Sequence, residues 1–554
     1  MKIGVVAHDV DRDVVREFFE LFKTAWEFHR ADQRYDVLIS ADGSVPSGGA
    51  RLVFVYSGQT AALDDGRKSV CRKAGSETVL LSAGERIPIY GNCVTFAAEG
   101  ANCLGVEGSK ESAAFACRFD GILVWRLGYD LFSEIRFLLE SGQPACHAAI
   151  PALERHISLV RDLILQAGIP VVEIPPVPHG HPFMVCLTHD VDHPSIRSHR
   201  FDHTMFGFLH RAISGSLMDL VGGRATARKL VANWAAALRL PFVHLRLAKD
   251  FWDTFDRYLE IESGLGATYF LIPEKGNPGR LQDGKAPAIR ASTYGVGDLK
   301  PQLERVVAQG CEVGLHGIDA WIDQNQGREE CEKVSQITGR TVPGIRMHWL
   351  YFDKKSPATL EAAGFDYDST VGFNGTIGFR AGTAQAYRPL GLTRLMELPL
   401  HVMDTALFYP SHLGLTETEA RSRVWEVMDE VAQSGGALTI NWHDRSIAPE
   451  RLWDGFYRNL IGELKFRGAW FPTASQAVCW FKKRRSATVE AWPNEDGRIR
   501  IKASVESDQD SPALRVRVHR PLNPSTTSES LRRRSSAGYS DLVFSQGFET
   551  SITL

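Results

Sequence analysis

The hydrophobic positions of this chain fall into three successive patterns. Residues 1 to about 170 mix short apolar runs (KIGVVA, YDVLIS, RLVFVYS, TVLLSA, GILVWRL) with stretches of helical spacing such as VVREFFELFKTAWEF. That alternation predicts an α/β domain. Its last element is sharply marked. Pro151 sits where a first helical turn tolerates proline, Leu153, Ile157, Val160, Leu163 and Ile164 share one face, and Gly168 stops the helix. EIPPVPHGHP then carries prolines 175, 176, 178 and 182, and reads as a domain boundary.

From 183 to about 480 the runs FMVCLT, TYFLIP, CEVGLH, PGIRMH, FDYDST, RLMELPLHVM, ALTINWH and GAWFPT alternate with helical segments. Seven or eight such units predict a parallel (β/α) barrel or barrel-like fold. After 486, RIRIKASV and LRVRVHR alternate at period two between turn-rich PNEDG and SDQDSP, which predicts a small antiparallel β module. Within it STTSESLRRRSS is too polar to pack and reads as a mobile loop. The predicted parts are thus 1–175, 182–484 and 486–554, as a chain of 554 residues is too long for one core.

One segment, 195–249, interrupts the barrel pattern after its first unit. It carries Lys or Arg at 197, 200, 211, 224, 228, 229, 239, 246 and 249 against Asp202 and Asp219, interleaved with Phe206, Phe208, Leu209, Leu217, Trp234 and Leu238. Such a basic amphipathic segment suits contact with an anionic polymer, a membrane face or a partner. The plainer expectation is a helical hairpin packed on the barrel with a solvated face.

Composition narrows the class. With 44% hydrophobic and 23% charged residues the chain reads as globular, and its net charge of −3 gives no global electrostatic reason to expect nucleic acid as a partner. Nine cysteines, an odd number without a CxxC pair, argue against a disulfide framework or a cysteine zinc site. MKIGVVAHDVDRDVVREFF lacks the apolar run of a secretory signal, and no window offers the ~18 uninterrupted apolar residues a spanning helix needs. A cytoplasmic location is the expectation.

The unusual residues fall at the ends of the apolar runs. Asp190 and Asp192 follow FMVCLT, His316 ends CEVGL, Arg346 and His348 follow PGI, Asp368 ends GFDY, and His443 with Asp444 ends ALTINW. Carboxyl ends of parallel strands converge on one face, so these clusters are candidates for one pocket. In extended chain, residues two apart point the same way, which sets Asp190 and Asp192 together, with His189, Val191 and His193 opposite. Two adjacent carboxylates share a proton or a cation, and imidazoles from neighbouring strand ends favour a divalent metal. VVAHDVDRD at 5–13 repeats the HDVD core, but no histidine motif follows a later strand of that domain. It reads as a polar turn after a strand.

The set resembles the polysaccharide deacetylase family, whose NodB homology domain is a distorted (β/α) barrel built around a metal-binding Asp and two His. The resemblance spans roughly 183–480, in the family's order. THDVD at 188–192 stands for TFDDG, and ATYFLIP at 267–273 is similar to the second strand. GLHGIDAW at 314–321 sits where HSxxH belongs, RMHW at 346–349 where RxPW belongs, FDYDST where DxxDW belongs, and INWHD where the last LxH belongs. Two positions depart from the pattern: Val191 separates the aspartates, and the i+4 histidine of the second motif is Ala320. His348, where the family usually has proline, is the candidate replacement imidazole.

The resemblance implies Asp192, His316 and His348 as ligands of a divalent metal, with zinc the expected ion, and Asp190 as general base. Arg346 would orient that base, and His443 would be the acid, kept protonated by Asp368 or Asp444. An arrangement with Asp190 on the ion and Asp192 behind it stays open. The implied substrate is an N-acetylated sugar, oligosaccharide or polysaccharide of a bacterial surface or exopolysaccharide, or a precursor. Two rival readings are glycoside cleavage by Asp190 and Asp368 facing each other across the pocket, and a carbohydrate-binding or scaffold protein with a degenerate metal site. Trp321, Trp349, Tyr351 and Trp442 are candidates for stacking on sugar rings. GFRAGTAQAYRP, 378–389, with Arg380 and Arg388, is a candidate anion-holding loop, or simply a surface loop.

Overall fold

The computed structural model describes the chain apart from residues 47–48, 76, 98–103, 224–225, 494–497, 507–510, 522–537 and 554. The predicted loop STTSESLRRRSS lies outside the described residues.

The N-terminal region is α/β, built on a six-stranded sheet in the order 114–119, 122–127, 50–56, 35–40, 3–6 and 26–28. The helical spacing of VVREFFELFKTAWEF is obeyed only from Arg12 to Phe22. Lys23 then turns left-handed (φ 53), and Trp26–Phe28 becomes an edge strand parallel to Ile3–Val6, with Trp26 stacked on Phe19 at 4.6 Å. Pairing to a strand edge overrides the helical spacing because bulky aromatics suit a half-buried sheet. Strands 69–72 to 111–112 form a second, antiparallel sheet whose Leu80, Ile87 and Ile89 join one core with Phe54 and Leu153. The predicted helix after Pro151 spans Ala152–Gln166, and Gly168 has φ +74.

The middle region is a curled sheet of eight parallel strands, a half-barrel. In chain order these are β1 (Met184–Val191), β2 (Ala267–Leu271), β3 (Glu312–Gly317), β4 (Gly344–Met347), β5 (Tyr367–Asp368), β6 (Met396–Glu397), β7 (Val402–Met403) and β8 (Ala437–Asn441). They lie side by side as β6-β5-β4-β3-β2-β1-β8-β7, every neighbouring pair parallel. RLMELPLHVM supplies two of these strands, one at each edge of the sheet. GAWFPT supplies none; only Trp470 bridges to Met184.

Alternate residues on each strand face the helices (Val185, Leu187, Leu271, Leu315, Ile345, Ile440), and those between them face the hollow. The hollow is filled at its floor by Met184, Cys186, Phe270 and Tyr367. Gly344 is required there, since a Cβ would stand 1.9 Å from the Tyr367 ring.

The segment around EIPPVPHGHP is no loose linker. Val171–Glu173 pairs antiparallel with Leu514–His519 of the tail, and Ile174–Pro178 is buried. A proline brings no N–H that burial would strand, so an extended proline run can be packed tightly. The tail itself forms two three-stranded antiparallel sheets, one including Val171–Glu173 and the other made of 488–493, 499–504 and 548–552. Residues 378–389 are wedged against the N-terminal region: Arg380 donates to Ser141 O (3.3 Å), and Arg388 N–H to Glu17 (2.8 Å). Gly378, at φ +134, brings its backbone so close that a Cβ would lie 2.0 Å from Ala148 O. This loop is a contact between regions rather than an anion-holding loop.

The 195–249 insertion packs on the barrel as helices His203–His210, Ser216–Val221 and Ala227–His244. Met205, Phe208, Ala212, Ala236, Leu240 and Val243 bury against Trp252 and Ala448.

Candidate metal and catalytic site

The phase of β1 decides its chemistry. Thr188 and Asp190 face the hollow with Asp192 beyond them, while His189 turns out among the helices. There His189 Nδ1 lies 2.7 Å from Trp442 O and its Nε2 2.9 Å from Glu262, between the rings of Tyr258 and Tyr269. His189 is a core histidine, ion-paired with Glu262 and turned away from the hollow.

Asp190 is clamped from both sides. Arg346 Nη1 donates to Oδ1 at 2.9 Å and Asn441 Nδ2 to Oδ2 at 2.8 Å, while Asn441 Oδ1 accepts the Asp190 N–H at 3.1 Å. Arg346 is fully buried, and its other donors reach Thr188 Oγ1 (2.7 Å), Ser369 O (2.9 Å) and Ser369 Oγ (2.9 Å). Burial by itself would raise the Asp190 pKa, but the Arg346 charge, helped by His316 and His443, holds it below the usual carboxylate range.

Asp192 faces the imidazoles instead. Its Oδ1 is 3.4 Å from His316 Nε2 and 3.4 Å from His348 Nδ1, and its Oδ2 is 3.8 Å from His443 Nε2. One ligand atom from each of Asp192, His316 and His348 lies within 4.8 Å of the others. Asp192 Oδ1 and His348 Nδ1 are buried and hydrogen-bonded to nothing. Buried polar atoms are normally paired, so two orphans turned toward each other imply an absent third party.

The tautomers suit a cation. His316 Nδ1 is 2.9 Å from the Arg346 carbonyl, which can only accept, so the ring donates there and turns its Nε2 to Asp192's side. Burial pushes His348 down to about 4, leaving it neutral at neutral pH. For Asp192, burial is outweighed by the two imidazoles, which hold it well below the usual range. One carboxylate and two imidazoles fit a divalent ion. Ala320 takes no part: it is buried beneath helix Gln324–Thr338, against Gly327. Glu330 of that helix tethers the turn after His316 by accepting the N–H groups of Ile318 (2.9 Å) and Asp319 (2.8 Å).

His443 is held by a residue the sequence reading did not name. Its Nδ1 is 2.6 Å from Asp404 Oδ1, and its backbone N–H donates to Asp404 Oδ2 at 2.7 Å. Burial alone would lower the His443 pKa, but Asp404, backed by Asp192 and Asp190, raises it to about 10. The expected partners are not the partners. Asp444 accepts the His193 N–H at 2.9 Å and is pushed by burial and Asp192 to about 6. Asp368 registers with Ile345 on β4, so it points to the helix side of the sheet, away from Arg346 and Asp190. There it accepts from Thr370 and lies beside Glu397, and burial raises both carboxyls. The alternation of a strand, not the chemistry of the residue, removes Asp368 from the rim.

Asp404 and Asn441 did carry a signal. Asp404 is the first polar residue after the apolar end of RLMELPLHVM, and Asn441 lies two before His443, hence on its face. Of the four aromatics, Trp442 is buried among the helices, stacked on Tyr457 at 4.9 Å, and Trp321 is buried too. Trp349 is 39% exposed, beside His348 with rings 5.9 Å apart, and its φ of +64 turns it out at the rim. The N-terminal HDVD differs in kind: Asp9 pairs with Arg12 and Asp11 with Arg136.

The chain is similar to solved polysaccharide deacetylases. A probable polysaccharide deacetylase from Pseudomonas aeruginosa PAO1 shares 15% identity over 58% of this chain and 98% of its own, at a TM-score of 0.35. The polysaccharide deacetylase Bc1974 from Bacillus cereus shares 14% over 41% and 86%, at 0.25, and Puue allantoinase 13% over 55% and 92%, at 0.34. No family model and no curated protein matches the chain. At TM-scores this low the similarity says nothing of activity, which the side chains themselves must carry.

The His443–Asp404 pair makes a pH prediction for metal-free protein. A histidine whose pKa is raised on folding stabilises fully below the free value of about 6.5 and loses that contribution as pH climbs through its folded value. Urea midpoints are therefore expected to fall between about pH 6.5 and the folded value of about 10. In Asp404→Asn that slope flattens.

Proposed function

We propose that this protein is a metal-dependent hydrolase that removes an N-acetyl group from a sugar of a bacterial surface polysaccharide or exopolysaccharide, or from a precursor of one. The observation that carries this reading is the orphaned pair Asp192 Oδ1 and His348 Nδ1, with His316 Nε2 equally near the same oxygen. Asp192, His316 and His348 would hold the ion, and a divalent ion so held polarises a carbonyl and acidifies water.

The remaining roles follow from the partners of each side chain. Asp190, kept ionised and aimed by Arg346 and Asn441, takes the proton of the attacking water. His443, charged against Asp404, hands a proton to the departing amine as the C–N bond breaks, leaving acetate and a free amino sugar. Trp349 offers an apolar face for a pyranose ring beside His348. Glycoside cleavage is disfavoured because Asp368 does not face Asp190 across the hollow. A cytoplasmic location belongs to the proposal and favours a precursor as substrate.

Acetate release from N-acetylated oligosaccharides, measured with bound-ion content before and after chelation, tests the reading. Acetate that stops with chelator and returns with zinc supports it. Reducing ends without acetate turn the reading to glycoside cleavage, and purified protein with neither ion nor acetate release turns it to a binding or scaffold role.

A further inference from the structure

The insertion helix Ala227–His244 has two apolar faces where a helix lying on a barrel needs one. Its inner stripe, Asn233, Ala236, Leu240 and Val243, is buried. A second stripe, Val231, Trp234, Leu238 and Phe242, continued by Leu245, runs at three- and four-residue spacing along the outside. Val231 is 66% exposed, Leu238 76% and Leu245 67%. Leu217, Met218 and Val221 on the other limb are exposed too, and Trp234 Nε1 donates to Ile213 O across the hairpin (3.3 Å). Single exposed apolar residues are ordinary, but a contiguous stripe flanked by charge marks an interaction surface.

Charge says what covers it. Between Leu220 and Lys249 there is no Asp or Glu, whereas Arg228, Arg239 and Arg246 are exposed. At 3.6 residues per turn Arg228 and Arg239 fall along the border of the outer stripe. The hairpin segment carries nine Lys or Arg against two Asp in a chain whose net charge is −3. A second copy docking the same patch would set like charges together. An apolar stripe with a basic border, on a helix too polar to cross a bilayer, matches the interface of an anionic membrane.

We propose that the 195–249 hairpin docks this protein onto an anionic lipid bilayer, with the outer stripe among the headgroups and Arg228, Arg239 and Arg246 on lipid phosphates. The hairpin leaves the barrel directly after β1, and Glu450 ties it to the loop beyond His443 through Arg211 (3.2 Å) and Asn233 (2.7 Å). The proposal stands on this surface alone and does not need the deacetylase reading.

Flotation of the full-length protein with vesicles tests it, comparing phosphatidylcholine alone with phosphatidylcholine plus phosphatidylglycerol. The wild type is expected to float with the anionic vesicles and to be released by salt. Leu238→Glu/Phe242→Glu and, separately, Arg228→Glu/Arg239→Glu are each expected to lower binding about tenfold or more, with melting temperatures unchanged. Failure of the wild type to bind anionic vesicles overturns the proposal, as do variants that bind as well as the wild type. Light scattering that finds a wild-type dimer made monomeric by Leu238→Glu/Phe242→Glu, without vesicle binding, assigns the surface to a second copy instead.

Discussion

Asp192→Ala protein is expected to purify folded and without a bound divalent ion. Asp192 supplies the only carboxylate oxygen of the candidate ligand set, and it is the atom equidistant from His316 and His348. Without it two imidazoles remain, too few to retain zinc through purification. Affinity should fall by well over the ~10–100-fold that altering a group merely supporting a ligand costs. Acetate release should fall on the order of 10³-fold or more, because the charge that stabilises the transition state leaves with the ion. The protein should still fold, since Asp192 Oδ1 has no hydrogen-bond partner to leave stranded. Elemental analysis with a thermal melt decides the matter. Full ion content in Asp192→Ala would remove this residue from the site and turn the ligand role to Asp190, whose Oδ2 is 3.9 Å from His316 Nε2.

Arg346→Ala is expected to damage fold and activity together. Arg346 is buried, and four of its five N–H donors are engaged. Its loss strands the Asp190 carboxylate, and breaking a buried pair from one side costs about 3–5 kcal/mol. Asp190 has its pKa depressed on folding, so its contribution is present above the free value of about 3.9 and lost as pH falls through the folded one. In Arg346→Ala that acid-side loss should move to higher pH, and the base should be protonated where it needs to be free. Arg346→Lys keeps the charge but not the fork that spans Thr188, Asp190 and Ser369, so it should recover stability better than rate. Asp190→Leu/Arg346→Leu separates the two effects. Replacing both partners removes the stranded charge, so stability should return while acetate release stays absent. Denaturant midpoints read beside acetate release report both.

Much of the half-barrel was legible in the sequence because each strand is written locally. An apolar run followed by a polar residue with chemistry recurs at Asp190, His316, Arg346 and His443, and period-two alternation pairs Asp190 with Asp192 and Arg346 with His348. The same alternation defeats the reading where a strand is only two residues long. At Tyr367–Asp368 nothing local says which residue faces the hollow, and the register with Gly344–Ile345 sends Asp368 outward. The partner of His443 was hidden for a related reason. RLMELPLHVM looked like one strand, and only its division between the two edges of the sheet brings Asp404 to His443.

What the sequence determined by itself is the inventory: a barrel-like middle and a set of carboxylates and imidazoles at strand ends, both written in short-range periodicity and turn chemistry. What only the tertiary structure decided is which of them meet. That set Asp192 among His316 and His348, turned Asp368 and His189 away, packed 378–389 against the N-terminal region and left the insertion helix with a second, uncovered apolar stripe. The reason is physical: hydrophobic spacing says that a face is buried, but which face, and against what, depends on contacts between residues hundreds of positions apart.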